Sequence, residues 1–229
     1  MDEYRPRVSA ARVEELRRWH EETSTALHGL GAHDVDYLGL HLHVPEHVFP
    51  PTPTSDLLGT QVRASVRPGD RVLDMGCGAG ANAILAAQVT DEVVAVDVNP
   101  HAVAATAANA ERNGVGARIR CVESDLFDAV DGTFDVIVID PPFRWFAPTD
   151  LLERAIADEG YRSLARFLTE APGRLRPGGA VLLFFGTSGD VDHLDALIDE
   201  AGLTSETQVE RTMPVRGEDT TYFVRALTV

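Results

Sequence analysis

The stretch Val72-Leu-Asp-Met-Gly-Cys-Gly-Ala-Gly80 decides the fold, because a short apolar run ends there in a loop with three glycines. Glycine has no Cβ, so its backbone can turn sharply and approach a ligand closely. Residues 71–74 are predicted to form a strand, and residues 81–88 the helix that follows the loop. A strand, a glycine loop and a helix in this order are typical of the first unit of a doubly wound sheet.

The alternation of strand and helix continues towards the C-terminus. Further strands are predicted at 92–97, 118–123, 134–140, 179–186, 207–215 and 220–229, and further helices at 100–113, 151–175 and 191–201. The run Phe134-Asp-Val-Ile-Val-Ile-Asp140 is almost wholly apolar, as expected of a central parallel strand. The pattern predicts the α/β class, with a doubly wound, Rossmann-like sheet of seven strands that is mostly parallel and has a C-terminal antiparallel strand.

The sequence upstream of the glycine loop does not show this regular alternation of strand and helix. A helix is predicted from Ser9 to Leu30, and a strand from Tyr37 to Val44, where apolar positions alternate. Residues 48–55 contain three prolines, which exclude a helix, and Ser55 is expected to cap a helix that runs to about Val66. We therefore predict two parts: a short N-terminal extension of helix and strand at 1–48, and a ligand-binding domain at 49–229.

Composition limits the class of protein. Hydrophobic residues make up 44% of the 229 residues, as in a globular protein with a substantial core. No apolar run approaches the ~18 residues of a membrane span, and the charged N-terminus lacks the apolar core of a signal peptide. Cys77 and Cys121 lack metal-ligand spacing, so we expect two reduced thiols in a cytoplasmic protein without a membrane partner. The net charge of −16 counts against a nucleic acid substrate, whose phosphates attract Lys and Arg.

Three carboxylates follow predicted strands and suggest the ligand. Asp74 stands two residues before the first glycine and could orient an ammonium group, directly or through water. Asp97 closes the second strand, 23 residues after Asp74, where a carboxylate can accept from both ribose hydroxyls. Asp125 follows the third strand and could accept from an adenine amino group. Each acid alone could equally be a strand-end or cap residue, but together they indicate a ligand with ammonium, ribose and adenine groups.

S-adenosyl-L-methionine has these groups, and it is the predicted cofactor. The other predicted contacts are Val98 and Phe127, which could face the adenine ring, and the residues Gly76, Cys77, Gly78, Gly80 and Leu126. The glycine loop alone also matches a dinucleotide fingerprint, which keeps a nicotinamide-dependent oxidoreductase open as an alternative. That alternative predicts binding of NAD in place of S-adenosylmethionine, and Asp74 would be unfavourable beside a pyrophosphate.

The tetrapeptide Asp140-Pro141-Pro142-Phe143 ends the fourth predicted strand and is the candidate catalytic loop. Prolines stiffen a loop and donate no hydrogen bonds, so its carbonyls can face a substrate. The Asp140 carboxylate and the Pro141 carbonyl are placed to accept two N–H bonds of an acceptor nitrogen and to stabilise the charge that develops on it. Phe143 could stack on the acceptor, and the alternative is a strand-end turn with a packed Phe.

The glycine loop, Asp97, Asp125 and the tetrapeptide resemble those of class I amino methyltransferases with an (N/D/S)-P-P-(Y/F/W) motif. The segment Gly39-Leu-His-Leu-His-Val-Pro-Glu-His-Val-Phe-Pro-Pro-Thr-Pro-Thr-Ser55 is similar to the one before the catalytic domain of HemK/PrmC-type glutamine methyltransferases. The resemblance implies that this segment covers the pocket, with Phe49 and Pro51 near the substrate and Thr54 near the cofactor. HemK-type enzymes carry Asn in place of Asp140; an ionised Asp can only accept hydrogen bonds, which suits a more basic or aminoaryl nitrogen.

Other residues near the motifs have two interpretations each. Arg144 and Trp145, after the acceptor loop, could wall a substrate pocket or pack under the next helix. His41, His43 and His47 have a spacing that could suggest a metal, but an exposed strand face explains them better, and no metal is predicted.

The leading hypothesis is a methyltransferase that acts on a nitrogen of a small molecule or a protein side chain. A second is an N-methyltransferase for bases of ribosomal RNA or DNA, which predicts an electropositive face near Phe143. A third is a non-catalytic subunit that binds the cofactor, against which the intact tetrapeptide counts. The N-terminal helix could also pair with a second copy in a homodimer.

Overall fold

The computed structural model of the protein describes residues 4–229. Its strands are β1 (His33–Tyr37), β2 (Leu40–Val44), β3 (Arg71–Met75), β4 (Glu92–Asp97), β5 (Ile119–Glu123), β6 (Phe134–Ile139), β7 (Leu175–Gly186), β8 (Thr204–Val215) and β9 (Glu218–Thr228). The α-helices are α1 (Ala10–His28), α2 (Asp56–Ser65), α3 (Ala81–Ala87), α4 (Pro100–Arg112), α5 (Arg162–Glu170) and α6 (Val191–Glu200). Short 3-10 helices lie at Gly116–Arg118, Glu153–Ala155, Glu159–Tyr161 and Ala171–Arg174.

Strands β3 to β9 form one seven-stranded sheet in the order β5-β4-β3-β6-β7-β9-β8. Strands β3 to β7 pair in parallel, and β9 runs antiparallel to both of its neighbours. The predicted fold is therefore confirmed. Strand order reverses between β3 and β6, and ligands of such sheets bind at this switch point, beyond the carboxyl ends of the strands.

Strand register decides which loops meet at that point. Met75 at the end of β3 is paired with Ile139 at the end of β6, so the glycine loop and Asp140 leave the sheet side by side. Met75 also neighbours Val96 of β4, which brings Asp97 to the other side of the loop. Two motifs about 60 residues apart in sequence thus reach one edge because parallel strands end together.

Both faces of the sheet are covered by apolar side chains. The central strand β6 is buried along its Val136-Ile-Val-Ile139 run, as its composition predicted. Leu16 of α1 is fully buried in the core on one face, and Leu40 and Leu42 of β2 are buried in the core on the other. The N-terminal segments are therefore packed on the sheet domain, and the division at residue 48 stays a prediction.

Two predictions of local structure are wrong. The strand predicted at 37–44 begins too early: β2 covers Leu40–Val44, and Tyr37 ends β1, because Leu38 and Gly39 both adopt positive φ (47° and 82°) and reverse the chain into a hairpin. Residues 151–175 contain only one α-helix, α5, with 3-10 turns around it. Gly160 and Tyr161 have positive φ (60° and 55°), which interrupts any longer helix.

Helix α1 packs against the segment that follows the tetrapeptide. The His28 Nε2 lies 2.7 Å from an Asp150 carboxylate oxygen at the surface. The buried His20 Nε2 lies 3.4 Å from Glu153, and burial lowers the pKa of His20 while the Glu153 charge opposes this. Glu153 also accepts hydrogen bonds at 2.6 Å from the backbone and hydroxyl of Thr149. Helix α1 therefore packs on the surface side of residues 149–153 and stabilises their position.

Candidate active site

A cavity of about 660 Å³ lies at the carboxyl ends of β3, β4 and β6. On one side it is covered by the strap, which we define as residues 45–55, and on the other by the outer wall, residues 147–164. Its floor is formed by the glycine loop, the end of β4 and the start of the tetrapeptide. A cavity of this size is typical of small-molecule and cofactor sites.

The glycine loop is shaped to hold a ligand closely. Gly76, Gly78 and Gly80 all have positive φ (79°, 53° and 88°), which strains any other residue. A Cβ on Gly80 would lie 3.0 to 3.1 Å from Thr106, so helix α4 requires a glycine there. A Cβ on Gly76 would contact no protein atom within 4 Å and would instead enter the cavity. The loop thus leaves a space for a ligand beside its backbone.

Asp97 is placed at the rim of this loop. Its Oδ2 accepts a hydrogen bond from the Gly78 backbone N–H at 3.0 Å, and its Oδ1 accepts from Asn99 at 2.9 Å. Burial raises the pKa of Asp97, and these backbone N–H groups act in the opposite direction. Asp97 and the neighbouring Val98 line the cavity, where the carboxylate has lone pairs left for ligand hydroxyls.

Asp74 supports the loop from behind. Its side chain is 2% exposed, does not line the cavity, and accepts a hydrogen bond from the Ala83 backbone N–H of helix α3 at 2.9 Å. Burial raises the pKa of Asp74 to about 7. Asp74 therefore makes no direct contact with the cavity, and a contact with an ammonium group through water stays a prediction. In the structure the carboxylate fixes the first turn of α3 against β3.

On the side predicted for adenine, one of the predicted residues does not reach the cavity. Asp125 and Leu126 line the cavity, as expected. Phe127 does not, because it is 2% exposed and stacks on Phe167 in the core, with ring centroids 5.5 Å apart. Leu126 has a φ of 51°, and this turn directs Leu126 to the cavity and Phe127 to the interior.

The first three residues of the tetrapeptide, Asp140, Pro141 and Pro142, line the cavity. The Asp140 carboxylate is exposed to the cavity, yet protein atoms surround the cavity so widely that desolvation raises its pKa to about 7. The negative charge of Asp74 contributes in the same direction. At neutral pH, part of the Asp140 population is therefore ionised and only accepts hydrogen bonds. The other part is protonated and can also donate one.

Phe143 does not line the cavity. Its ring packs against Phe185 and Phe184, with centroids 4.9 and 5.6 Å away, and its carbonyl accepts a hydrogen bond from the Tyr161 hydroxyl at 2.7 Å. The expected stacking of Phe143 on the acceptor is therefore wrong, because β7 offers the ring an apolar site.

Of the two interpretations of Arg144 and Trp145, the structure supports packing. Arg144 is 8% exposed, lies 4.3 Å from the centroid of the Trp19 ring and donates to the Ser188 carbonyl. Trp145 is 7% exposed and packs against Phe146 and Tyr4. Neither lines the cavity. These side chains join α1 to the sheet domain.

In the strap, Phe49 and Pro51 line the cavity, as the resemblance implied, together with Ser55. Thr54 does not line it, and its hydroxyl lies 3.1 Å from the Thr52 hydroxyl. The strap closes over the glycine loop, since the Phe49 carbonyl would lie 3.8 Å from a Cβ on Gly78.

Several residues of the cavity are not indicated by the sequence, among them Tyr37 of the hairpin, Asn82 of α3 and Arg154 of the outer wall. Asn82 could have been found, because it is the second residue after the glycine loop, at the helix start that faces a ligand in such sheets. Tyr37 and Arg154 reach the cavity only through the hairpin turn and the 3-10 turns, which carry little sequence signal.

Within residues 4–229, no group of three or more His, Cys, Asp or Glu side chains is placed to hold a metal. His41 and His43 each pair with an exposed carboxylate of β1, Asp36 and Asp34. No helix in this part of the chain is long and apolar enough to cross a membrane.

Comparison with known proteins identifies the family. Residues 53–201 match the profile described as methyltransferase small domain. The chain belongs to this family. A release factor glutamine methyltransferase of Bordetella pertussis is 34% identical over 184 residues, which cover 73% of this chain and 67% of that protein. A ribosomal RNA small subunit methyltransferase C of Chromohalobacter salexigens is 40% identical over 115 residues, 50% of this chain and 31% of that protein.

Solved structures agree with this assignment. A 16S ribosomal RNA N2 guanine methyltransferase of T. thermophilus, in complex with AdoMet and guanosine, has a TM-score of 0.62 and 26% identity, over 86% of this chain and 50% of that chain. The chain thus spans between about a third and two thirds of the relatives named here. The predicted reaction class, methyl transfer from S-adenosyl-L-methionine, is confirmed by the family.

The residues present fit this cofactor. The space beside Gly76 and Gly78, which a Cβ would enter, suits the methionine part of the molecule. The Asp97 carboxylate suits the ribose hydroxyls, and the cavity continues to Asp125 and Leu126 for the adenine.

Proposed function

We propose that this protein transfers a methyl group from S-adenosyl-L-methionine to a nitrogen of a protein side chain or a small molecule. The observation that carries the proposal is the pairing of Met75 with Ile139, which opens Asp140 onto the same cavity as the glycine loop. Acceptor and donor groups can therefore meet without a movement of the sheet.

The residues have distinct roles in this reaction. The bound cofactor supplies an electrophilic methyl group on a positively charged sulfur. The glycine loop, Asp97, Val98, Asp125 and Leu126 would bind and orient it from below, and Phe49 and Pro51 would exclude water from above. Most of the rate enhancement expected from such a site comes from holding the nitrogen in line with the methyl group.

Asp140 is the residue that acts on the acceptor. Its ionised carboxylate accepts an N–H bond of the acceptor and stabilises the positive charge that develops on nitrogen as the methyl group arrives. The Pro141 carbonyl, which belongs to the cavity lining, would accept a second N–H bond. With its pKa near 7, Asp140 can also take up the proton that the nitrogen must lose.

The Bordetella relative supports an amide nitrogen as the acceptor, because its name specifies glutamine. The Chromohalobacter relative supports a base of ribosomal RNA as the second candidate. The net charge of −16 favours the first. Free thiols at Cys77 and Cys121 support the expectation of a cytoplasmic protein, and a homodimer remains a prediction.

Two measurements test the proposal. Calorimetry with S-adenosylhomocysteine should show saturable binding, and its absence would refute the donor site. Transfer of labelled methyl groups should then be assayed on blocked glutamine, blocked lysine and guanosine, with Asp140→Ala as reference. Transfer to guanosine alone would favour the RNA candidate, whereas equal transfer by Asp140→Ala would refute the acceptor site.

A further inference from the structure

The Tyr161 hydroxyl makes two hydrogen bonds at the end of the tetrapeptide. It donates to the Phe143 carbonyl at 2.7 Å and accepts from the Asp190 backbone N–H at 2.9 Å. A hydroxyl has one proton, and because the oxygen already receives the N–H of Asp190, that proton is directed to Phe143. Tyr161 and Asp190 are each 1% exposed, so these bonds lie in the interior, where water does not replace a lost partner.

The tetrapeptide is held at its two ends. Pro141 and Pro142 in its middle have no N–H and cannot donate a backbone hydrogen bond. At its start the chain leaves β6, whose last residue Ile139 is paired with β3. At its end the Phe143 carbonyl is enclosed, since a Cβ on Gly189 would lie 2.9 Å from its oxygen. The position of the cavity-lining residues between these ends therefore depends on the bond from Tyr161.

Asp190 connects this bond to the N-terminal segment of the chain. Its Oδ2 accepts hydrogen bonds from the Tyr4 hydroxyl at 2.8 Å and from the Arg7 backbone N–H at 2.7 Å. Its Oδ1 accepts from the His193 backbone N–H at 3.1 Å and so caps helix α6. The Tyr4 ring also meets the Tyr161 ring edge-on, with centroids 5.3 Å apart. Tyr4 and Arg7, which lie outside the region of the family likeness, thus fix the group that orients Tyr161.

We propose that Tyr161 is a positioning residue for methyl transfer and that it acts on Asp140 through the Phe143 carbonyl. The inference rests on the proposed function, in which Asp140 faces the acceptor nitrogen. In-line transfer tolerates little displacement, and a shift of about 1 Å can lower the rate about a hundredfold. Without the hydroxyl the end of the tetrapeptide can move, whereas the glycine loop that binds the donor keeps its own contacts. Tyr4 contributes indirectly, because it holds Asp190.

The test uses Tyr161→Phe, which removes only the hydroxyl, and Tyr4→Phe, which removes the bond to the Asp190 carboxylate. The matched control is Thr90→Val outside the cavity, which also removes a buried hydroxyl that donates to a backbone carbonyl, that of Asp70 at 2.6 Å. The probe is whichever of blocked glutamine, blocked lysine and guanosine the wild type methylates fastest.

We expect kcat to fall about tenfold in Tyr161→Phe, about threefold in Tyr4→Phe and less than about twofold in the control. We expect the acceptor KM and the Kd of S-adenosylhomocysteine to stay within about twofold of the wild type in all three, because the hydroxyl touches neither ligand.

A double variant separates a positioning role from a general effect on the fold. If Tyr161 acts through Asp140, its hydroxyl should matter little once the Asp140 carboxylate is gone. Tyr161→Phe is therefore combined with Asp140→Ala, and we expect less than about a threefold further loss of kcat. A merely structural role would slow transfer by the same factor with and without the carboxylate.

Three results would overturn the inference and leave the proposed function intact. The first is a kcat of Tyr161→Phe close to that of the wild type. The second is an undiminished further loss in the double variant, which would show that the hydroxyl acts independently of Asp140. The third is an equal loss of kcat in Thr90→Val, which would assign the effect to stability. If Tyr161→Phe does not fold, Tyr4→Phe decides, and an unchanged kcat there overturns the inference. If the wild type instead neither binds S-adenosylhomocysteine nor transfers methyl groups, the proposed function itself fails.

Discussion

The raised pKa of Asp140 predicts a specific dependence of methyl transfer on pH. If the ionised carboxylate stabilises the charge on the acceptor nitrogen, kcat/KM should rise with pH as Asp140 loses its proton. With a pKa of about 7, about one tenth of the molecules are ionised near pH 6 and about nine tenths near pH 8. The wild type should therefore be about tenfold more active at the higher of these two pH values.

The assay is the initial rate of methyl transfer to blocked glutamine, below its KM, between these two pH values. Asp140→Asn keeps the shape of the side chain but cannot titrate, so its rate should be constant over the range. Asp36→Asn is the matched control, since Asp36 lies exposed on the hairpin and pairs with His41, and it should keep the wild-type profile.

Two results would refute this reasoning. A rate that falls as pH rises would show that the protonated form of Asp140 is the active one. A rise that persists in Asp140→Asn would show that another group titrates, and Asp74, whose pKa is also about 7, would then be examined through Asp74→Asn.

Three further predictions concern the donor site and the core. Asp97→Ala removes the acceptor of the Gly78 and Asn99 N–H groups, so calorimetry should show S-adenosylhomocysteine binding weakened by roughly ten- to a hundredfold; unchanged binding would exclude Asp97 from the site. Asp74 has a higher pKa folded than unfolded, so the folded chain binds more protons and the unfolding free energy should fall as pH rises. The change from 3.8 to about 7 corresponds to roughly 4 kcal/mol, and Asp74→Asn should flatten this slope in urea titrations; an equal slope would contradict the assignment. Leu16→Ala should cost about 2–5 kcal/mol of unfolding free energy because Leu16 is fully buried, without loss of S-adenosylhomocysteine affinity; a cost near zero would show that α1 is not anchored.

The parts of the site that lie at strand ends could be predicted from the sequence. Strand ends are marked by apolar runs that stop at Gly76, Asp97 or Asp140, and the parallel topology then brings them to one edge. The same signal cannot tell which way the next side chain points. Phe127 and Phe143 follow such ends closely, yet both rings turn into the core, since local backbone turns and apolar space decide their direction.

Contacts between distant segments could not be predicted in this way. Tyr37 reaches the cavity only because Leu38 and Gly39 turn the chain into a hairpin, and a single Leu-Gly pair is a weak turn signal. The hairpin is then held on α4 by Asn109 and Asn113, whose amides bond to the backbone of His43 and His41. No sequence motif marks these two asparagines, and their contacts with the hairpin are visible only in the folded chain.

Helix α1 lies outside residues 53–201, the region of the family likeness, yet it buttresses the outer wall through His20 and His28. Its partners Glu153 and Asp150 flank Leu151 and Arg154, which line the cavity. The region of sequence similarity therefore does not include every element that holds the cavity wall in place. Changes in the outlying helix can therefore shift the outer wall of the cavity while the shared donor loop stays as it is.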